Sequence, residues 1–138
     1  MKLILQDKNK YILRGERGDN LLEELKRFCE KQKIAAGVLH AIGAVKDVEI
    51  GWYNLREKRY ETKVFESAEI DILFGTIATL DDKVVIHSHG VFSDRNMATQ
   101  GGDIKKLIVS ATCEVLLEKL EGKIEKEYSK EIGLNLMK

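Results

Sequence analysis

Three histidines occur in the 138-residue chain, and two of them are spaced for joint work. His87 and His89 stand two apart inside Val84–Val91, a stretch that reads as a β-strand. In a strand, residues i and i+2 leave the same face, so both imidazoles project together. His-x-His on a strand is a compact two-nitrogen start for a divalent metal, although the same spacing also arises in surface pairs that bind nothing. A third donor follows along the chain. The polar stretch from Phe92 to Gln100 leads to Gly101-Gly102-Asp103, and two glycines allow positive φ and close backbone approach. A turn there would aim the Asp103 carboxylate from the start of the next element. Two histidines and one carboxylate form a facial set with open positions, suited to zinc first and also to non-haem iron. The alternative is a glycine turn ending in a solvated aspartate, and spacing alone does not choose between them. His40, alone in an apolar run, reads as a hydrogen-bonded core residue. Glu66, Glu69 and Glu114 are candidates for a general acid or base beside a metal, with nothing in the sequence to place any of them there.

These residues need a scaffold, and the chain is long enough for one domain over residues 1–138. It is 43% hydrophobic and 33% charged, as an ordered globular domain is. With no proline, glycines and polar clusters mark the turns. Lys10–Arg14 reads as a strand and Gly15–Gly18 as a turn. Asp19 or Asn20 can cap a helix, Asn20 having Glu23 in capping-box position. Leu21, Leu22, Leu25, Phe28 and Cys29 recur at helical spacing, which predicts a long amphipathic helix ending near Lys33, its one apolar face laid on a sheet. Period two then takes over: Ala35–Val45 with Val48, Ile50 and Trp52, then Tyr60–Glu66, Ile70–Thr79 and Val84–Val91. The joining turns are Asn54–Lys58 and Asp81-Asp82. Ile104–Leu120 has helical length, but its alternation and β-branched residues predict a strand, with a last strand near Lys123–Tyr128. Short turns between successive strands imply antiparallel pairing. The expectation is an α+β fold: a central, mainly antiparallel sheet with one long helix packed on it.

Composition narrows the function classes. Cys29 and Cys113 fall on apolar faces and read as buried free thiols, too few for a disulfide framework. The N-terminus turns polar too soon for a signal peptide, and no apolar run reaches the roughly 18 residues of a membrane span, so the cytoplasm is the default expectation. Basic and acidic residues number 23 each, and they interleave, as in Lys123-Ile124-Glu125-Lys126-Glu127. Tight nucleic-acid binding needs a basic stripe to neutralise phosphates, and none is visible.

The order of several short segments resembles the PPC ("plants and prokaryotes conserved") domain family. They are Arg14–Asp19 before the helix, Ile42-Gly43-Ala44, Gly51-Trp52-Tyr53, Glu69–Gly75, His87-Ser88-His89, Gly101-Gly102 and Gly133-Leu134. The resemblance implies assembly as a homotrimer and a fold similar to acetolactate decarboxylase, a zinc enzyme. It also implies a metal site reading His-x-His then Gly-Gly-His. Here the third histidine position holds Asp103, which can still ligate. In plants such domains follow AT-hook DNA-binding motifs, and this chain has no such motif. The sequence thus leads to a trimeric metal-binding module with an unknown small-molecule ligand. A metal-dependent hydrolase or lyase is the first alternative and DNA binding the second.

Overall fold

The computed structural model describes residues 1–138. In chain order the elements are β1 (Lys2–Asp7), β2 (Lys10–Glu16), α1 (Leu21–Lys31), β3 (Gly37–Asn54), β4 (Arg59–Leu80), β5 (Lys83–Ser93), β6 (Thr99–Lys119), β7 (Lys126–Ser129) and β8 (Leu134–Met137). Six strands form one sheet in the order β1-β2-β6-β3-β4-β5, every named pair antiparallel, while β7 and β8 form a separate hairpin. No helix is long and apolar enough to cross a membrane.

The expected α+β division with a long helix is not what the chain adopts. Strand accounts for 69% of residues and helix for 8%. The single helix has 11 residues, with Leu21, Leu22, Leu25 and Cys29 buried. Its end has a local cause. Lys33 takes φ 53°, and the Ile34 N–H donates back to the Cys29 carbonyl, closing the last turn just where the helical stripe runs out. At 1.5 Å per residue α1 is about 16 Å long, against strands of 18 and 22 residues in β3 and β4. It plugs one part of the sheet instead of forming a layer. The capping box is also absent. Asn20 is the N-cap residue but its side chain makes no capping bond, and Glu23 pairs with Lys26 instead. The Asp19 carboxylate accepts the Glu16 N–H at 2.9 Å, which fixes the turn before the helix and caps no helical N–H.

The separate strands read before and after residues 45 and 66 are continuous. β3 and β4 pair from Gly37↔Ile77 to Asn54↔Arg59, bent by one register shift between Ala41 and Gly43. Gly43 makes the bend workable. At φ +148°, a Cβ there would lie 2.4 Å from the Thr112 carbonyl and 2.6 Å from the Cys113 Cα. The bend wraps the sheet around 22 buried core residues, among them Leu13, Leu25, Leu39, Leu73, Ile77, Phe92 and Leu117. Both cysteines are buried free thiols. Two strands lie beyond the sequence reading: β1 at the sheet edge, and β8. β7 is shorter than expected. The terminal hairpin is tied down by the Thr79 N–H donating to the Ile124 carbonyl at 2.8 Å and the Tyr53 hydroxyl donating to the Ile132 carbonyl at 2.8 Å.

β6 has two halves with different neighbours. Its C-terminal half lies between β2 and β3, and its N-terminal half between β5 and β3. Strands β3, β4, β5 and β6 therefore close on one another at one end of the sheet.

The packing at Gly43 gives a stability test. Gly43→Ala should cost roughly 2–4 kcal/mol in denaturant unfolding, because a backbone clash cannot relax cheaply. Gly122 also has positive φ, +95°, but nothing within 4 Å of a Cβ. Gly122→Ala should cost about 1 kcal/mol, the conformational penalty alone. Equal losses would show that the close approach at Gly43 is not what constrains it.

Candidate metal centre

Asp103 lies in the closed end of the sheet, directly opposite His89 on β5 and opposite Gly51 on β3. Residues opposite one another point to the same face, so the Asp103 carboxylate and the His89 ring share a side, and His87 joins them two residues along. The Nε2 atoms of His87 and His89 lie 3.3 Å and 3.8 Å from the same oxygen, Oδ2 of Asp103. The two rings are 5.1 Å apart, nearly perpendicular at 80°. The three donor atoms fall within 4.8 Å of one another. Donors about 2.0–2.2 Å from a shared ion stand roughly 3–3.5 Å apart, so the set fits a divalent metal with small side-chain adjustments.

Gly101 and Gly102 act differently from the sequence reading. They form no turn. They are strand residues paired with Val91 and Gly90. A Cβ on Gly102 would sit 2.8 Å from the Gly51 carbonyl, and one on Gly101 2.8 Å from the Gly90 carbonyl. The glycines thus let β6 sit tightly between two strands. The reversal is made earlier, where the Asp94 side chain accepts the Asn96 and Ala98 N–H groups and Met97 takes φ 60°.

The other residues around Asp103 were not found from sequence. Lys105 Nζ donates to Oδ1 at 2.7 Å, and the Tyr60 hydroxyl donates to Oδ2 at 3.1 Å. Lys105 also lies 3.0 Å over the Tyr60 ring, a cation–π contact. Gly51 leaves the space for both: a Cβ there would be 2.9 Å from the Tyr60 ring and 3.1 Å from the Lys105 side chain. Burial pushes the Asp103 carboxyl up. The hydrogen bonds from His87, Lys105 and Tyr60 and the Lys105 charge outweigh it and hold it down at about 2. Burial, then the Asp103 charge, push the Tyr60 hydroxyl up to about 12. Asp103 is thus a fully ionised, nearly buried carboxylate with one oxygen turned toward two exposed imidazoles.

The Plants and Prokaryotes Conserved (PCC) domain profile matches residues 4–121, most of the chain. The chain belongs to the Plants and Prokaryotes Conserved domain family. Solved structures agree. A PPC protein from Pyrococcus horikoshii is 29% identical with a TM-score of 0.89, covering 94% of this chain and 90% of its own. A candidate DNA-binding protein from Bacteroides thetaiotaomicron is 26% identical with a TM-score of 0.93, covering 97% and 94%. A metal-containing protein from Archaeoglobus fulgidus is 29% identical with a TM-score of 0.88, covering 99% and 98%. No curated protein matches the chain.

Within this family domain the remaining candidates lie elsewhere. His40 is not a core residue. It is exposed and packs edge-on against Phe74, ring centroids 5.0 Å apart. Its run looked buried because apolar residues occupy both faces of the strand. Glu66, Glu69 and Glu114 are exposed, and none lines the groove beside the histidines. Lys105 was legible in principle, two residues after Asp103 on the same strand face. Tyr60 comes from a different hairpin, beyond the reach of local spacing.

The ion pair predicts a pH-dependent contribution to folding. Because the folded carboxyl is held below its ordinary range, Asp103 stabilises the fold at neutral pH. That stabilisation is lost as pH falls through the interval from about 4 to about 2. In chelator-treated protein, Asp103→Asn should lower unfolding free energy at about pH 7 by roughly 1–3 kcal/mol. The gap to the parent should close near pH 2. A gap independent of pH would show that Asp103 contributes through shape and not charge.

Proposed function

We propose that this chain is a homotrimeric module that binds one divalent metal per protomer on His87, His89 and Asp103, with zinc preferred. The observation that carries it is the convergence of two imidazole nitrogens on a single carboxylate oxygen, 3.3 Å and 3.8 Å away. The metal-containing relative at 29% identity supports the same reading. Lys105 bears on how an aspartate serves at this place. Its ammonium cancels the charge that Asp103 brings, so the donor set keeps the net charge of three neutral imidazoles. With Oδ1 held by Lys105, the carboxylate would offer Oδ2 alone.

The trimer reading draws on the outer face of the sheet. Ile12, Leu116, His40 and Phe74 follow one another across β2, β6, β3 and β4 in register, and the row ends on His89. Ile12, Leu116 and Phe74 are exposed, as are Ile42, Ile72 and Val91 nearby. A contiguous apolar patch of this kind marks an interaction surface, and we assign it to further copies of the same chain.

A bound metal would supply a water of lowered pKa, which is the basis of the hydrolase or lyase alternative. Such a reaction also wants a free proton-transfer group. Besides the two histidines, Tyr60 and Lys105 are the groups against Asp103, and both are engaged in holding it, so binding ranks ahead of catalysis. DNA binding is favoured by likeness to the Bacteroides relative, a candidate DNA-binding protein. The charge balance of 23 against 23 opposes it.

Three measurements separate these readings. Zinc dialysis should give about one ion per chain. The His87→Ala, His89→Ala double variant should be metal-free yet folded, and Asp103→His should retain the ion. Parent and Asp103→His both remaining metal-free would end the metal reading. Light scattering at micromolar concentration should return three times the chain mass, and a monomer there would exclude the trimer. Duplex DNA at about 150 mM salt should bind no tighter than about 10⁻⁶ M. Nanomolar, sequence-dependent binding would establish the DNA reading instead.

A further inference from the structure

A groove of about 580 Å³ runs beside the histidine–aspartate cluster, and His87 and Asp103 are among its lining residues. Its apolar lining comes from five elements: Leu22 of α1, Leu80 of β4, Val85 of β5, Ile104 of β6 and Leu136 of β8. The hairpin β7–β8 lies beyond residues 4–121 matched by the family profile, and it closes one side of the groove. A concave, mostly apolar site of a few hundred Å³ with a small number of polar groups suits a small molecule.

Charge distinguishes this groove from the rest of the surface. The chain as a whole is neutral, with acids and bases interleaved. The groove is lined by Lys26, Lys105 and Lys126, and its only carboxylate is Asp103. Lys105 is satisfied by Asp103, and Lys26 has Glu23 at 2.9 Å outside the lining. Lys126 has no carboxylate within ion-pair distance. Apolar walls with a local cationic excess attract an anion that carries apolar surface of its own.

We propose that the groove binds a small amphipathic anion, a carboxylate or phosphate head on a short apolar body, its head placed by Lys26 and Lys126. This deepens the binding-module reading by naming the ligand class at the same site, but it rests on the groove and not on the ion. The test therefore uses chelator-treated protein, so that its outcome is independent of metal binding.

The probe is octanoate, followed by methyl resonances in NMR titration, with octylammonium as the control of opposite charge. Octanoate should shift Leu22, Val85, Ile104 and Leu136 saturably, at one molecule per chain, while octylammonium leaves them unmoved. The Lys26→Glu, Lys126→Glu double variant should bind at least about tenfold more weakly, and Lys126→Glu alone should give part of that loss if the double variant folds poorly. Neither lysine belongs to the proposed ligand set, so zinc uptake should be retained in both variants. Octanoate shifts confined to Ile12, Ile42 and Leu116 on the outer face would overturn the proposal. So would equal binding of octylammonium, or indifference to the charge reversals.

Discussion

Asp103 is flanked on both sides, by His89 across β5 and by Gly51 across β3, and this double pairing governs the site. It buries a carboxylate in a strand interior, where an unpaired charge would be costly. The cost is offset by three hydrogen-bond donors, Lys105, Tyr60 and His87, each delivered by a different structural feature. Lys105 arrives by strand alternation. Tyr60 arrives from the far arm of the β3–β4 hairpin through the gap at Gly51, and His87 from the neighbouring strand. Gly101 and Gly102 serve the same end, since side chains there would hold β6 apart from β5 and β3, while Gly90 leaves room for the Phe92 ring and the Ile104 side chain. The electrostatics of the centre thus depend on how closely the strands close.

That dependence explains what the sequence could and could not disclose. The paired orientation of His87 and His89 follows from period two alone and needed no tertiary information. Asp103 was identified as the third member for a different reason than the one that places it there. A glycine turn was expected, and register in a closed strand ring is what operates. Two glycines in a row signal close backbone approach as well as a turn, and only the pairing of β6 with two neighbours distinguishes them. Tyr60 stayed hidden because its position depends on a long hairpin whose two arms read as separate strands. Their junctions fall near Asp47, at φ 49°, and near Ser67 and Ala68, where small and polar residues interrupt the apolar alternation without breaking the pairing.

The same limit accounts for the helix and for His40. Helical periodicity located the face of α1 correctly, through Leu21, Leu22, Leu25 and Cys29, but length depends on where the last turn closes. Lys33 in a left-handed conformation closes it close to the expected end, but the 11 residues this leaves are short beside the strands, which carry the rest of the fold. His40 lies in a run where both faces are apolar. Such a run reads as doubly buried, yet here the second face is the exposed outer surface that ends on His89. The candidate centre therefore lies at the margin of the apolar face assigned to partner copies, with the lysine-lined groove beside its other members, His87 and Asp103.

In the proposed centre, Oδ2 of Asp103 and the two Nε2 atoms share one ion. X-ray absorption at the zinc edge of zinc-loaded protein tests it most directly. A shared ion gives a first shell of light atoms at about 2.0–2.2 Å, with the outer-shell scattering of two imidazoles. The imidazole scattering should disappear from any zinc left in the double histidine variant. A shell of sulfur donors, a shell of oxygen alone, or a spectrum unchanged by removal of both histidines would contradict it.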